Sequence, residues 1–264
     1  MITPRDAATV MLVRDAPDLQ VFMLRRNFDS VWIAGASVFP GGAIDDHDRD
    51  PSWADRTRGR DDVGASRALG IGSGGLGFFV GAVRETFEEA GVLFAEATDG
   101  ELVDASSPHL RAGRDALNAR ETDFASFVAD HDLVLTVDQL HLFSHWVTPS
   151  GSPRRYDTWF FVGAAPPGTY EHDNAELIES AWVRPVDALA AANRGEMDLI
   201  FPTRKTLEAF ARFESAAAVL DAARRSGAVD DAGRVRLVDE PSGGRRIALP
   251  GDRAWDEGVM PCPT

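Results

Sequence analysis

The run Arg84-Glu85-Thr86-Phe87-Glu88-Glu89-Ala90-Gly91-Val92 sets three carboxylates and one guanidinium within six residues. Written as a helix, Glu85, Glu88 and Glu89 fall at i, i+3 and i+4 and project from one face. Like charges at that spacing repel by a few tenths of a kcal/mol per pair, roughly, so something should offset the cost. A hard divalent cation, which takes oxygen ligands, is a natural counter-charge. The competing reading is a solvated acidic face on an amphipathic helix. Gly91 supplies a stop, because it can adopt the left-handed conformation that ends a helix.

The elements that would position these residues form a mixed pattern. Ala7 to Val13 and Gln20 to Arg25 read as strands around the turn Asp15-Ala16-Pro17-Asp18. Ser37 to Phe39 leads into a Pro40-Gly41-Gly42 turn. Residues 45–75 are rich in Asp, Arg, Gly and Ser and are expected to be a surface loop that Trp53 could pin. Phe78 to Ala90 is the acidic helix, with Phe79, Ala82, Val83, Phe87 and Ala90 as its buried stripe. Asp115 to Asp130 reads as one further helix, in a small cap over about 105–132. Strands are expected at Leu140–Thr148, Tyr156–Gly163 and Ile178–Val183. Helices follow at Pro185–Ala192 and at Thr203–Ala223, the second begun by Pro202 and a threonine cap. A core domain over 1–225 and a C-terminal extension over 226–264, with one strand-like run at Arg234–Val238, complete the outline.

Composition narrows the function classes. An apolar content of 44% in 264 residues is enough for a substantial core. No apolar run is long enough to span a bilayer, and Met1 to Asp6 lacks the pattern of a secretion leader, so a cytoplasmic protein without a membrane partner is expected. The single cysteine, Cys262, leaves no internal disulfide. A net charge of −15 argues against a nucleic acid partner, whose backbone needs clustered Lys and Arg. A small phosphorylated substrate stays open, because bound cations reverse a local field.

The acidic run resembles the second half of the Nudix signature, with Thr86 in a slot where a bulky aliphatic is usual. Val38-Phe39-Pro40-Gly41-Gly42-Ala43-Ile44-Asp45-Asp46-His47-Asp48 resembles the opening turn of the same signature, with Asp48 where glutamate is usual, and Gly35-Ala36-Ser37-Val38-Phe39-Pro40-Gly41-Gly42 resembles an element of the coenzyme A diphosphatases within that family. Positions 49–83 separate the halves, an insertion of about 28 residues, placed at about 49–77. This split, together with Trp146-Val147-Thr148-Pro149, Arg155-Tyr156-Asp157-Thr158-Trp159-Phe160-Phe161 and Leu199-Ile200-Phe201-Pro202-Thr203, resembles the coenzyme A diphosphatase branch of Nudix hydrolases. The likeness runs from about residue 5 to 212.

That resemblance implies an α/β fold, an α/β/α sandwich around a mixed β-sheet with a helical and loop insertion. It implies Mg²⁺ (or Mn²⁺) as cofactor, with Glu85, Glu88, Glu89 and the Gly41 carbonyl as ligands. Glu85 would join them or act as general base, and Arg84 would grip the Glu85 carboxylate as a bidentate fork. Asp48 would be an outer member. The implied reaction is hydrolysis of a phosphoanhydride in coenzyme A or acyl-coenzyme A, giving 3′,5′-ADP and (acyl-)phosphopantetheine. Alternatives are an ADP-ribose, NADH or dinucleotide pyrophosphatase and a non-catalytic nucleotide sensor. Homodimers occur among such relatives.

Further candidates come from beyond the signature. Glu179 is preferred over Glu176 and Asp173 as an additional acid. Arg25, Arg26 and Gly42 are placed at the substrate phosphates, and Arg154 or Arg155 at a 3′-phosphate. His47 is read as exposed. His141 and His145, four apart on a strand, would point the same way and are read as structural. Trp32, Trp146 and Trp159 could stack on adenine but more often such residues are core.

Overall fold

The computed structural model describes residues 2–28, 34–148, 154–173, 176–226, 236–239 and 245–248. In chain order the strands and helices are β1 (Arg5–Asp15), β2 (Leu19–Arg26), β3 (Ser37–Val38), β4 (Gly41–Ala43), α1 (Asp62–Leu69) and α2 (Gly75–Ala90). There follow β5 (Ala95–Ala97), α3 (Pro108–Asn118), α4 (Phe124–Asp130), β6 (Leu133–Leu135), β7 (His141–Val147) and β8 (Tyr156–Ala164). The last are β9 (Leu177–Val183), α5 (Pro185–Asn193), α6 (Phe201–Phe210), α7 (Ala216–Ser226), β10 (Arg236–Asp239) and β11 (Arg245–Ala248).

Strand β1 is apolar on both faces, the mark of a strand covered on both sides. Ala8, Val10 and Leu12 join one core cluster and Met11 and Val13 the other. It pairs antiparallel with β2 and β4 and parallel with β8 (Arg5 opposite Tyr156, Val13 opposite Ala164), so the sheet is mixed. β7 extends it beyond β8, β9 pairs with β2, and β3 pairs with the end of β2. Helix α2 and the cap helices α3 and α4 contribute the first core cluster, with Phe79, Phe87, Leu110 and Phe127 buried in it. Helices α5, α6 and α7 cover the other face through Ala188, Leu207, Phe210 and Val219. The result is the expected sandwich of helices about a mixed sheet.

Segment 45–75 differs from the expected surface loop. Two short 3-10 turns (Asp46–Arg49 and Pro51–Asp55) precede α1. Trp53 is 3% exposed, donates its ring N–H to the His47 carbonyl at 2.9 Å and packs 5.6 Å from the Phe124 ring. Asp61 caps α1 by accepting from Gly64 N at 2.7 Å, and Gly70 closes it in the left-handed conformation. The same segment holds the start of α2, where no side chain within the helix caps it. Asp62 accepts from the Gly74 and Leu76 N–H groups at 3.0 Å each, and Ser66 Oγ from Gly75 N at 2.9 Å.

Two expected long helices are each divided. Between α3 and α4 the chain turns through Arg120 (φ 58°), and Asp123 starts α4 by accepting from Ser126 N. Between α6 and α7 lie residues 211–215, and Asp15 of β1 accepts from the Ala216 N–H at the start of α7. Thr203 is buried inside α6 rather than capping it; Ile200 holds the cap position without a side-chain bond. The late strand is Arg236–Asp239, antiparallel to Arg245–Ala248.

Candidate active site

The acidic run occupies the second half of α2, and Gly91 ends the helix with φ 67° as its spacing predicts. Arg84 lies at the centre of the cluster, 8% exposed. Its fork closes on Asp48 rather than Glu85: Nε donates to Oδ1 at 2.9 Å and Nη2 to Oδ2 at 2.8 Å. Nη1 then reaches Glu85 at 2.9 Å and Glu88 at 3.1 Å, and Nη2 reaches the Ala43 carbonyl. Asp48 is 2% exposed and also accepts from the Asp45 N–H at 2.8 Å, so its carboxylate is fully engaged. Asp48 can approach because residue 81 is glycine. A Cβ there would lie 2.6 Å from Ile44 Cδ1 and 2.8 Å from Asp48 Oδ2.

The opening turn meets α2 from the sheet side. Gly41 sits opposite Thr9 with φ 151°, where a Cβ would be 2.3 Å from the Ala8 carbonyl oxygen, so only glycine fits. The contact it makes to the cluster is its N–H, donated to Glu89 Oε2 at 2.8 Å, rather than its carbonyl. Gly42 lies against Glu85; a Cβ would be 2.4 Å from Oε2.

Three carboxylates, Asp48, Glu85 and Glu88, therefore bond one guanidinium in a largely dry place, and Glu89 lies next to Glu85. Burial, opposed by Arg84, pushes the Glu85 carboxyl up to about 7. Burial also raises Glu88, and burial with the charge of Glu85 raises Glu89 well above the ordinary range. Burial works against the charge of Arg84, but Asp48, Glu85 and Glu88 outweigh it and keep the group cationic. Among the described residues no three acids or histidines already converge as a closed metal-ligand set. The hydrogen bonds explain this: Glu85 and Glu88 each turn an oxygen to Arg84, and Glu89 turns one to Gly41. The donors are nevertheless all hard oxygens with excess negative charge held out of water, which fits a divalent cation.

The family model described as the NUDT19 Nudix domain matches residues 69–207, just over half of the chain, and includes the whole acidic helix. The chain belongs to this Nudix family. Members generally use divalent cations. Among curated relatives, the human acyl-coenzyme A diphosphatase NUDT19 is 28% identical over 235 residues, covering 76% of this chain and 62% of the relative. The Gallus gallus protein of the same name is 29% identical over 249 residues, covering 75% and 65%. The chain thus spans less than two thirds of the length of these relatives. The crystal structure of a Nudix hydrolase from Alicyclobacillus acidocaldarius superposes with a TM-score of 0.70 at 26% identity, covering 84% of this chain and 97% of that one.

The other candidates are distributed unevenly around the Nudix helix. Glu179 stands opposite Arg25 in the β2–β9 register, is ion-paired to it at 3.4 Å and is largely exposed. Asp173, not Glu179, is the acid beyond the signature whose charge bears on Glu89, and Arg26 bears on Glu89 with the opposite sign. Arg26 pairs through Nη2 with Glu176 at 3.1 Å, and its Nε is buried without a partner among the described residues. Arg155 is no open anion grip: it is 9% exposed, and Nε and Nη1 donate to the carbonyls of Thr148 and Ile2.

His141 and His145 face opposite sides of the sheet, because a bulge at Phe143 shifts the alternation between them. His141 is held neutral, its pKa lowered to about 4 by burial and by Arg224. His145 bonds Asp157 and stacks 3.8 Å from the Trp159 ring centroid. Trp146 and Trp159 are core residues, while Trp32, Pro149 and Cys262 lie outside the described residues. Gly81, Arg114 and Asn118 escaped the sequence reading. Arg114 and Asn118 share one face of α3 at i, i+4, the signal that could have marked them.

Proposed function

We propose that this chain is a Mg²⁺- or Mn²⁺-dependent pyrophosphohydrolase that cleaves coenzyme A or acyl-coenzyme A in the cytoplasm. The products are 3′,5′-ADP and (acyl-)phosphopantetheine. The observation that carries the reading is the buried Asp48–Arg84–Glu85–Glu88–Glu89 cluster, in a chain whose curated relatives are named acyl-coenzyme A diphosphatase. Glu88 and Glu89 would hold the cation, with the Gly41 backbone beside them, and Glu85 would join them or act as general base. When bound, it neutralises phosphate charge and makes a better nucleophile of water.

The chain's own residues supply positioning and proton transfer. Glu85, pushed up to about 7, suits a base that takes a proton from the attacking water near neutral pH. Arg84 orients Glu85 and Glu88 while its fork is anchored on Asp48. Arg26, whose Nε has no partner among the described residues, is assigned with Arg25 beside it in β2 to a substrate phosphate, and Gly42 is assigned to the same phosphates. Because Glu179 is paired to Arg25, Asp173, whose charge bears on Glu89, is assigned as the acid beyond the signature.

The test is mass-spectrometric product analysis with either cation and a panel of coenzyme A, acyl-coenzyme A esters, ADP-ribose, NADH and diadenosine polyphosphates. Release of 3′,5′-ADP that Glu89→Gln abolishes is the expected result. AMP from ADP-ribose or NADH in its place overturns the substrate. No cation-dependent product from any compound overturns the hydrolase reading.

A further inference from the structure

We propose that Arg114, on cap helix α3, is a positioning residue that sets Glu88 and Glu89 against the segment bearing Asp173. The inference rests on the metal-site reading above. The last four carbonyls of an α-helix have no partner within it. In α2 these are the backbone groups of the turn that carries Glu88 and Glu89. The Phe87 carbonyl accepts from Gly91 N at 2.9 Å, the capping bond of the left-handed glycine. The Glu88 carbonyl accepts three donors from α3: Arg114 Nε at 3.1 Å, Arg114 Nη2 at 2.9 Å and Asn118 Nδ2 at 3.2 Å. The Ala90 carbonyl accepts from Glu171 N at 3.1 Å.

Arg114 joins these pieces. Its Nη2 also donates to the Glu171 carbonyl at 3.0 Å, so one planar group holds the end of α2 and the 171 segment together. Asp173 is two residues further on, fixed in turn by accepting from the Leu177 N–H at 3.0 Å at the start of β9. Its charge reaches Glu89, as does that of Arg26. One guanidinium thus ties the backbone of the turn that carries Glu88 and Glu89 to the segment that leads to Asp173. A cation at a helix C-terminus is favoured by the helix dipole as well. A lysine could not replace it, since an ammonium lacks the rigid fork that spans two carbonyls.

A helix cap without influence on the site would change stability and leave cation affinity alone. The deciding experiment is calorimetric titration of the cation-free protein with Mn²⁺, for wild type, Arg114→Ala and Arg114→Lys, each verified as folded by circular dichroism. Loss of a group that orients metal ligands costs about 10- to 100-fold in affinity. A weakening of about tenfold or more is expected for Arg114→Ala, with a smaller weakening for Arg114→Lys. Unchanged Mn²⁺ affinity in folded Arg114→Ala overturns the inference while leaving the site reading intact. Should Arg114→Ala not fold, Arg114→Lys and Asn118→Ala answer by the same criterion. Wild-type protein that takes up no Mn²⁺ overturns the metal site itself, and this inference with it.

Discussion

Replacing Glu85 by glutamine tests whether the cluster stores unfavourable charge that a cation relieves. The carboxyl is carried from an ordinary 4.5 to about 7, chiefly by burial, with Arg84 opposing. At about 1.36 kcal/mol per pH unit, the ionised form costs the folded chain about 3 kcal/mol. Because the folded value is raised, this stability is fully present below about pH 4.5 and lost as pH rises through about 7. The charge of Glu85 also raises Glu89, so removing it eases the neighbouring carboxyl as well. Urea unfolding in EDTA at about pH 5 and about pH 8 measures it. Wild type should lose about 2 to 3 kcal/mol more than Glu85→Gln between the two, since the amide keeps the bond to Arg84 without the charge. Mn²⁺ at about 100 times its Kd should return about 2.7 kcal/mol to wild type and less to the variant. Equal losses in EDTA would refute the stored-charge account.

Glu89→Gln should leave the circular dichroism spectrum unchanged and lower turnover at least about a hundredfold, as loss of a metal ligand does. Asp48→Ala removes both bonds of the Arg84 fork and should cost about 3 kcal/mol in denaturant unfolding, with activity lost alongside. Trp53→Ala should destabilise by about 3–5 kcal/mol despite lying in the insertion, because the ring is buried against Phe124. Retention of wild-type stability would return the insertion to a surface loop.

The clustering of the acidic run was legible because it is local. Arg84, Glu85, Glu88 and Glu89 sit within one helical run whose spacing and glycine stop can be read directly, and the β1–β2 hairpin follows from its turn residues. What stayed out of reach was non-local. Nothing in the sequence places Asp48, 36 positions upstream, in the fork of Arg84; that depends on a glycine at 81 and on the path of the insertion. Asp173 and Glu179 are equivalent in composition, and only the β2–β9 register commits Glu179 to Arg25. Arg155 reads as a free cation until its two carbonyl partners are seen. The caps of α1 and α4, Asp61 with Gly64 and Asp123 with Ser126, were short-range signals passed over in polar stretches.

The parallel seam between β1 and β8 also governs when the chemistry can exist. Arg5 meets Tyr156 across some 150 intervening positions, and α2 with all its carboxylates lies inside that span. Closing so large a loop is slow and comes late, since its entropy must be lost before the contacts form. During synthesis the hairpin of β1 and β2 has to wait, with apolar faces uncovered, until the eighth strand has emerged. The acidic helix, with glycines at 75, 77 and 81 and a cap supplied by Asp62 and Ser66, depends on those later contacts as well. The dry setting that perturbs its carboxylates forms only with the finished sheet, so a half-made chain presents an ordinary acidic surface.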